Sequence, residues 1–257
     1  MNMISPQFIV LILCYIAMSL AAIVLFVMGI MIAVNKTKPT RVLGIGYIIT
    51  SISSGAVFLY NLLLIIYDTE KVVVFGDAVM IGTLICIMAG LLCICIYIHK
   101  NYGKKYVYIP ILLLPLTGMI VSAVVALLLN KAGLRGFEYS MVISLVNDVN
   151  NVVTIAAAAV IIIIVLYKNR EKEKIIPKAW CAKTITVIWS VIEIVVISAT
   201  YLSVIKSAGT DGLKAYSDNT FMTLTMVQSF DSLVTLVVPV YVLSKVNKAS
   251  NQGKANI

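Results

Sequence analysis

The stretch Ser140–Thr154, SMVISLVNDVNNVVT, places a group of strongly polar residues inside a long apolar run over about 139–167. A run of that length can cross a hydrocarbon core of about 30 Å as a helix, because a helix rises about 1.5 Å per residue. Read as a helix, most of its polar residues recur at spacings of three and four and share one face. They are Ser140, Ser144, Asn147, Asp148, Asn151 and Thr154. The stretch therefore predicts a membrane-spanning helix with one polar stripe.

The composition of the whole chain agrees with this interpretation. Hydrophobic residues make up 61% of the 257 residues and charged residues 12%, with a mean hydropathy of +1.04. Soluble domains are about half apolar and a quarter charged, so the chain belongs to the polytopic membrane class. Spans and short loops account for almost every residue, which leaves no room for a soluble catalytic or nucleic-acid-binding domain. The five cysteines lie in or at the inner ends of apolar segments, so no exported disulfide framework is expected.

Seven apolar segments are long enough to cross a membrane. They lie at about 8–34, 42–67, 76–98, 106–129, 139–167, 181–205 and 219–244. The sequence therefore predicts an all-α polytopic membrane protein, a bundle of seven transmembrane helices that forms one domain over residues 1–257.

The loops that follow the odd-numbered segments hold 15 of the 20 Lys and Arg residues, and the loops between the other segments hold 5. By the positive-inside rule the N-terminus lies outside and the C-terminus in the cytoplasm, in the plasma membrane. The net charge of +9 is therefore interpreted as a topology signal, and no nucleic-acid partner is expected.

Small residues and prolines predict how the helices pack and bend. The third segment has a strip of small residues that would let another helix approach closely, formed by Gly82, Cys86, Gly90 and Cys93. Pro110 and Pro115 in the fourth segment and Pro239 in the seventh predict bends.

The second, fifth, sixth and seventh segments carry polar stripes, whereas the others are nearly apolar. This contrast predicts that the four polar helices enclose an interior site. Its predicted ligand- or ion-binding residues are Asn147, Asp148, Asn151, Glu193, Gln228 and Asp231, with Ser54, Asn61, Ser144, Trp189 and Thr235 as secondary members. Asn150 points away from the stripe and is left out of the site. No cofactor and no bound metal are predicted.

Three ionisable residues lie deep in the predicted spans: Asp148, Glu193 and Asp231. No Lys, Arg or His is expected at a matching depth, so these acids are predicted to lack a basic partner. A charged side chain facing lipid costs about 2.5–3.5 kcal/mol on insertion scales, so all three should face inward. Such acids are protonated, bind a cation or line a hydrated cavity.

The acidic cluster favours a transporter or permease that moves a proton, a cation or a small cationic solute. One alternative is a seven-helix receptor or sensor with a small-molecule ligand in an outward-facing cavity and a cytoplasmic protein partner. A further alternative is an accessory subunit whose polar stripes contact another membrane protein. The chain has no phosphate loop, H-E-x-x-H motif or nucleophile elbow, so an enzyme is not expected.

Overall fold

The computed structural model describes residues 6–34, 38–67, 70–134, 137–170, 179–215 and 218–255, and every regular element in these ranges is helical. The helices are Pro6–Ala33 (α1), Lys38–Tyr67 (α2), Glu70–Tyr102 (α3), Tyr108–Lys131 (α4), Phe137–Lys168 (α5), Ala179–Ala215 (α6), Asp218–Val234 (α7) and Val237–Ala255 (α8). A single 3-10 turn at Lys105–Val107 leads into α4. The predicted all-helical architecture is confirmed.

Seven helical segments are long and apolar enough to cross a membrane, as predicted. They cover Phe8–Ala33, Thr40–Tyr60, Ile81–Tyr102, Lys105–Lys131, Met141–Lys168, Trp180–Lys206 and Met222–Lys248. Large apolar side chains are exposed on the outside of the bundle, among them Leu13, Leu127 and Val195 at 58–63%. Soluble monomers rarely expose apolar surface on this scale. The bundle is therefore compatible with a multi-pass membrane protein.

Consecutive helices pack against each other along the chain, and α1 also packs against α7. The helices therefore close into a ring. The most extensive contacts join α1 to α2, α2 to α3 and α5 to α6, whereas α6 and α7 share a smaller interface. We call that interface the α6–α7 seam.

One end of the bundle is where α1, α3 and α5 end and α2, α4 and α6 begin. Exposed Lys100, Lys105 and Lys168 lie there, so we call it the basic end. An apolar cluster fills the bundle at this end, with buried members from α1 to α5 and from α8. They include Ile32, Leu43, Ile98, Ile111, Val165 and Val242. From α6, the partly buried Trp180 packs against the cluster.

Glycines let α2 lie close to both of its neighbours. A methyl group on Gly44 would collide with the backbone of Ala33 and Gly29 in α1. A methyl group on Gly90 of α3 would lie 2.8 Å from the Thr50 hydroxyl of α2. The predicted small-residue strip of the third span therefore contacts α2 at Gly90, whereas Gly82 faces open space, since nothing lies within 4 Å of a methyl group built there.

The seventh span is divided into α7 and α8 by a turn at Thr235 and Leu236. Pro239 explains the break, because proline has no N–H to donate to the carbonyl of Thr235 four residues earlier and its ring clashes with that carbonyl. The predicted bend is thus present, one turn before the proline. Pro115 lies inside α4 without ending that helix.

Candidate carboxylate site

Asp148 on α5 is held by a residue of α6. The Tyr201 hydroxyl donates a hydrogen bond of 2.8 Å to Oδ2 of Asp148. Tyr201 is only 4% exposed and lies in an apolar cluster with Val152, Ile197 and Leu224. Tyr201 is not among the predicted site residues, although it follows Glu193 by eight residues and so shares its helix face.

Glu193 on α6 is the most deeply buried of the three acids, with 5% of its surface exposed. Its carboxyl group interacts electrostatically with Asp231 of α7 and with Asp148 of α5. Asp148 and Asp231 therefore each lie on a helix packed against α6 and within electrostatic range of Glu193.

Asp231 has a basic neighbour, which corrects the expectation that the acids lack one. The ammonium group of Lys183 and the carboxyl group of Asp231 interact electrostatically. The count of 15 basic loop residues in the sequence includes Lys183, at the end of the loop before the sixth span. However, α6 begins at Ala179, so Lys183 lies inside the helix, half-buried, ten residues before Glu193. The spacing of Lys183, Thr186, Ser190 and Glu193 at three and four residues marks one face.

Three buried polar atoms at the α6–α7 seam have no hydrogen-bond partner within the described residues. They are Thr186 Oγ1, Trp189 Nε1 and Asp231 Oδ1. The Trp189 ring stacks on Phe230, the residue before Asp231, with ring centroids 4.9 Å apart. This contact places the carboxyl group of Asp231 at the level of Thr186 and Trp189 on α6.

The ionisable groups form a series along α6 and do not meet at one point. Lys183 and Glu193 are about 15 Å apart along the helix axis, and Glu193 and Tyr201 about 12 Å. Asp231 lies within the first interval, and Asp148 is bonded at the end of the second. Among the described residues, no three His, Cys, Asp or Glu side chains are close enough to hold one metal ion together.

The neutral residues predicted beside the acids are more exposed than the acids themselves. Asn147, Asn151 and Gln228 are exposed. Asn150, which was left out of the predicted site, donates hydrogen bonds to the Gly118 carbonyl at 3.1 Å and to the Ser122 hydroxyl at 3.0 Å. It therefore ties α5 to α4, on a different side of the helix from Asp148.

The predicted secondary residues fall into different parts of the molecule. Trp189 lies at the seam, and exposed Thr235 lies at the turn between α7 and α8. Ser54 is exposed on α2, whose main contacts are with α1 and α3. The side chain of Asn61 lies outside the described residues. Ser144 is half-buried one turn before Asp148.

Two recesses lie between α6 and the seventh span. One, of about 320 Å³, is polar and lies at the end opposite the basic end; it is lined by Ala199, Thr200, Ser203, Thr220 and Thr223. The other, of about 670 Å³, is an open apolar groove near the basic end, lined by Cys181, Ala182, Ile185, Leu233, Leu236, Val237, Val240, Tyr241 and Ser244. The series of acids lies between these two levels of α6.

Comparison with protein-family models, with curated protein sequences and with solved structures gives no match to this chain. The class that the fold defines is an all-helical bundle with seven helices long and apolar enough to cross a membrane. What the bundle does must be argued from its own side chains.

Proposed function

We propose that this protein is a plasma-membrane permease that moves protons, or another small cation, along the carboxyl groups of α5, α6 and α7. The observation that carries the proposal is that buried Glu193 on α6 lies between Asp148 on α5 and Asp231 on α7, the two helices packed against α6, and within electrostatic range of both acids. In the proposed topology the N-terminus lies outside, so the basic end faces the cytoplasm.

The energetic cost of these acids supports a functional role. Each charged group near the middle of a bilayer costs about 2.5–3.5 kcal/mol on insertion scales. Within the described part of the chain, a basic neighbour that offsets part of this cost is found for Asp231 alone. Replacing the acids by apolar residues would remove that cost. Acids retained inside a membrane bundle typically mark ion pathways and proton relays.

The arrangement of the acids favours relay over chelation. A divalent metal ion needs several oxygen ligands converging on one point. The acids here are instead staggered along α6, with Asp231, Glu193 and Asp148 following one another from the basic end. A series of titratable groups suits a proton or a monovalent cation that passes from one group to the next.

Reconstitution into liposomes tests this proposal. We expect Asp148→Asn combined with Asp231→Asn to reduce cation flux to the background of empty liposomes, because both ends of the series lose their charge. The matched control is Ser54→Ala, which removes an exposed hydroxyl bonded to its own helix at the Thr50 carbonyl. Flux in the double variant equal to that of the unmodified protein would contradict the proposal.

A receptor is the second candidate, and the polar recess of about 320 Å³ favours it. Its hydroxyl groups could bind a small polar ligand from the side opposite the basic end. Saturable ligand binding that needs Thr220 and occurs without any flux would support the receptor over the permease.

A further inference from the structure

The proposed series of acids ends at Asp231, before the basic end of the bundle. A cation therefore needs a further route from Asp231 to that end. The centre of the bundle is closed there, because the apolar cluster around Ile98, Ile111 and Val242 fills it. An ion cannot be hydrated among such side chains. A route must therefore run beside the cluster, and the α6–α7 seam lies beside it.

The seam has the polar groups that such a route needs. Thr186 is 2% exposed, and its hydroxyl oxygen has no hydrogen-bond partner in the described residues. Trp189 Nε1, one turn further along α6, and Asp231 Oδ1 are also buried without a hydrogen-bond partner in the described residues. A buried polar group without a partner is destabilising, so native proteins satisfy such groups with protein or with water.

The chemistry of these three atoms fits water better than it fits a bare cation. The indole N–H can only donate a hydrogen bond, the carboxylate oxygen accepts one, and the hydroxyl does both. A donor repels a cation, whereas water can meet all three demands. Buried water in proteins typically makes about three hydrogen bonds to polar groups that would otherwise lack a partner, so bound water can satisfy these atoms.

Lys183 adds a fixed charge at the inner end of the seam. It is half-buried on the same face of α6, one turn before Thr186, and it interacts electrostatically with Asp231. A tethered ammonium group competes with any free cation for this carboxylate. A fixed positive charge repels a metal cation that approaches the same carboxylate.

We propose that water bound by Thr186, Trp189 and Asp231 in the α6–α7 seam forms the inner half of the route, and that Lys183 makes this half selective for protons over metal cations. This inference rests on the proposed permease function and narrows its substrate to the proton. Protons can pass along hydrogen-bonded water and carboxyl groups, whereas sodium or potassium would have to approach Asp231 against the positive charge of the Lys183 ammonium group.

Hydration of the seam can be tested without any flux. The chain has two tryptophans, Trp180 and Trp189, so the indole N–H signals of ¹⁵N-labelled protein in detergent can be assigned with Trp189→Phe. We expect the Trp189 indole proton to exchange rapidly with D₂O. Exchange as slow as that of the backbone amides of α6 would overturn the bound water.

Flux measurements in proteoliposomes test conduction and selectivity. We expect Thr186→Val and Trp189→Phe each to lower proton flux about fivefold, the effect of losing one hydrogen bond along the route. Thr184→Val is the matched control, because the Thr184 hydroxyl is already bonded to the Trp180 carbonyl at 2.9 Å. We expect Lys183→Met to admit sodium above the background of empty liposomes and Lys183→Arg to exclude it.

The outcomes separate this inference from the proposed function. Equal proton flux in Thr186→Val, Trp189→Phe and Thr184→Val, in a protein that conducts protons, would overturn the inner route and leave the permease standing. Exclusion of sodium by Lys183→Met would overturn the selectivity. Absence of proton flux in the unmodified protein would contradict both the proposed permease function and proton conduction through the seam. Rapid exchange of the Trp189 indole proton would still support bound water in the seam.

Discussion

The two sides of the helix ring are built on different principles. On one side, α1, α2 and α3 approach so closely that Gly44 and Gly90 leave no space for a methyl group. On the other side, α6 and α7 share a smaller interface, with two recesses along it. Glycine contacts hold the first side together, and ionisable and aromatic side chains occupy the second.

The distribution of unsatisfied polar atoms follows the same division. Of the four buried side-chain atoms without a partner in the described residues, three lie at the α6–α7 seam and the fourth, Thr83 Oγ1, lies on α3. Elsewhere on the first side, Thr50 and Ser51 bond to carbonyls of their own helix. Close helix packing is therefore found mainly on the side of α1, α2 and α3, and polar atoms without a partner mainly at the α6–α7 seam. Such a separation is expected where rigid helices support a functional site.

The largest effect on stability should follow from a methyl group added to the tight side. Gly44→Ala forces the Cβ atom against the backbone of Ala33, which cannot rotate away, so we expect a loss of about 2–3 kcal/mol in the free energy of unfolding. Reversible denaturation in mixed micelles measures it.

Gly82→Ala is the matched control for that substitution. It adds the same methyl group to a helix position that faces open space, and alanine favours helix over glycine by up to about 1 kcal/mol. A loss at Gly82 as large as that at Gly44 would show that the close approach of α1 and α2 is not the cause.

A smaller effect is expected on the polar side, where Tyr201 bonds Asp148. Tyr201→Phe removes a hydrogen bond to an acidic group, and we expect a loss of about 1.5 kcal/mol in the free energy of unfolding. In the Asp148→Asn background the same substitution should cost less, because the amide is a weaker acceptor than a carboxylate. Equal losses in both backgrounds would contradict coupling between these two residues.

Helix number and position could be predicted from the sequence because membrane helices obey a length and hydropathy rule that acts locally. The helical faces could also be predicted from the sequence, because the spacing of polar residues at three and four places Asn150 on a different face from Asp148. The break at Thr235 also followed from a local cause, the missing N–H of Pro239. These features depend on residues close together in the chain.

The partners of the acids could not be predicted, because they depend on how far one helix is shifted along another. The electrostatic interaction of Lys183 with Asp231 depends on the level at which α6 and α7 meet, which Trp189 and Phe230 fix by stacking. The hydrogen bond from Tyr201 to Asp148 likewise depends on the level at which α5 and α6 meet. Hydropathy gives the ends of a span only to within a few residues, and a shift of four residues moves a side chain by about 6 Å.

The smallest expected effect on the free energy of unfolding comes from a threonine-to-valine substitution, made once on each side of the ring. Thr83→Val removes a buried hydroxyl without a partner and keeps the side-chain shape, so the free energy of unfolding should rise by up to about 1 kcal/mol. Thr186→Val removes a hydroxyl in the same condition, yet it should give no such gain if water partners that hydroxyl in the seam. Denaturation of the two variants side by side measures the difference. Equal gains would mean that the seam is as dry as the environment of Thr83, and the contrast between the two sides would then be one of packing alone.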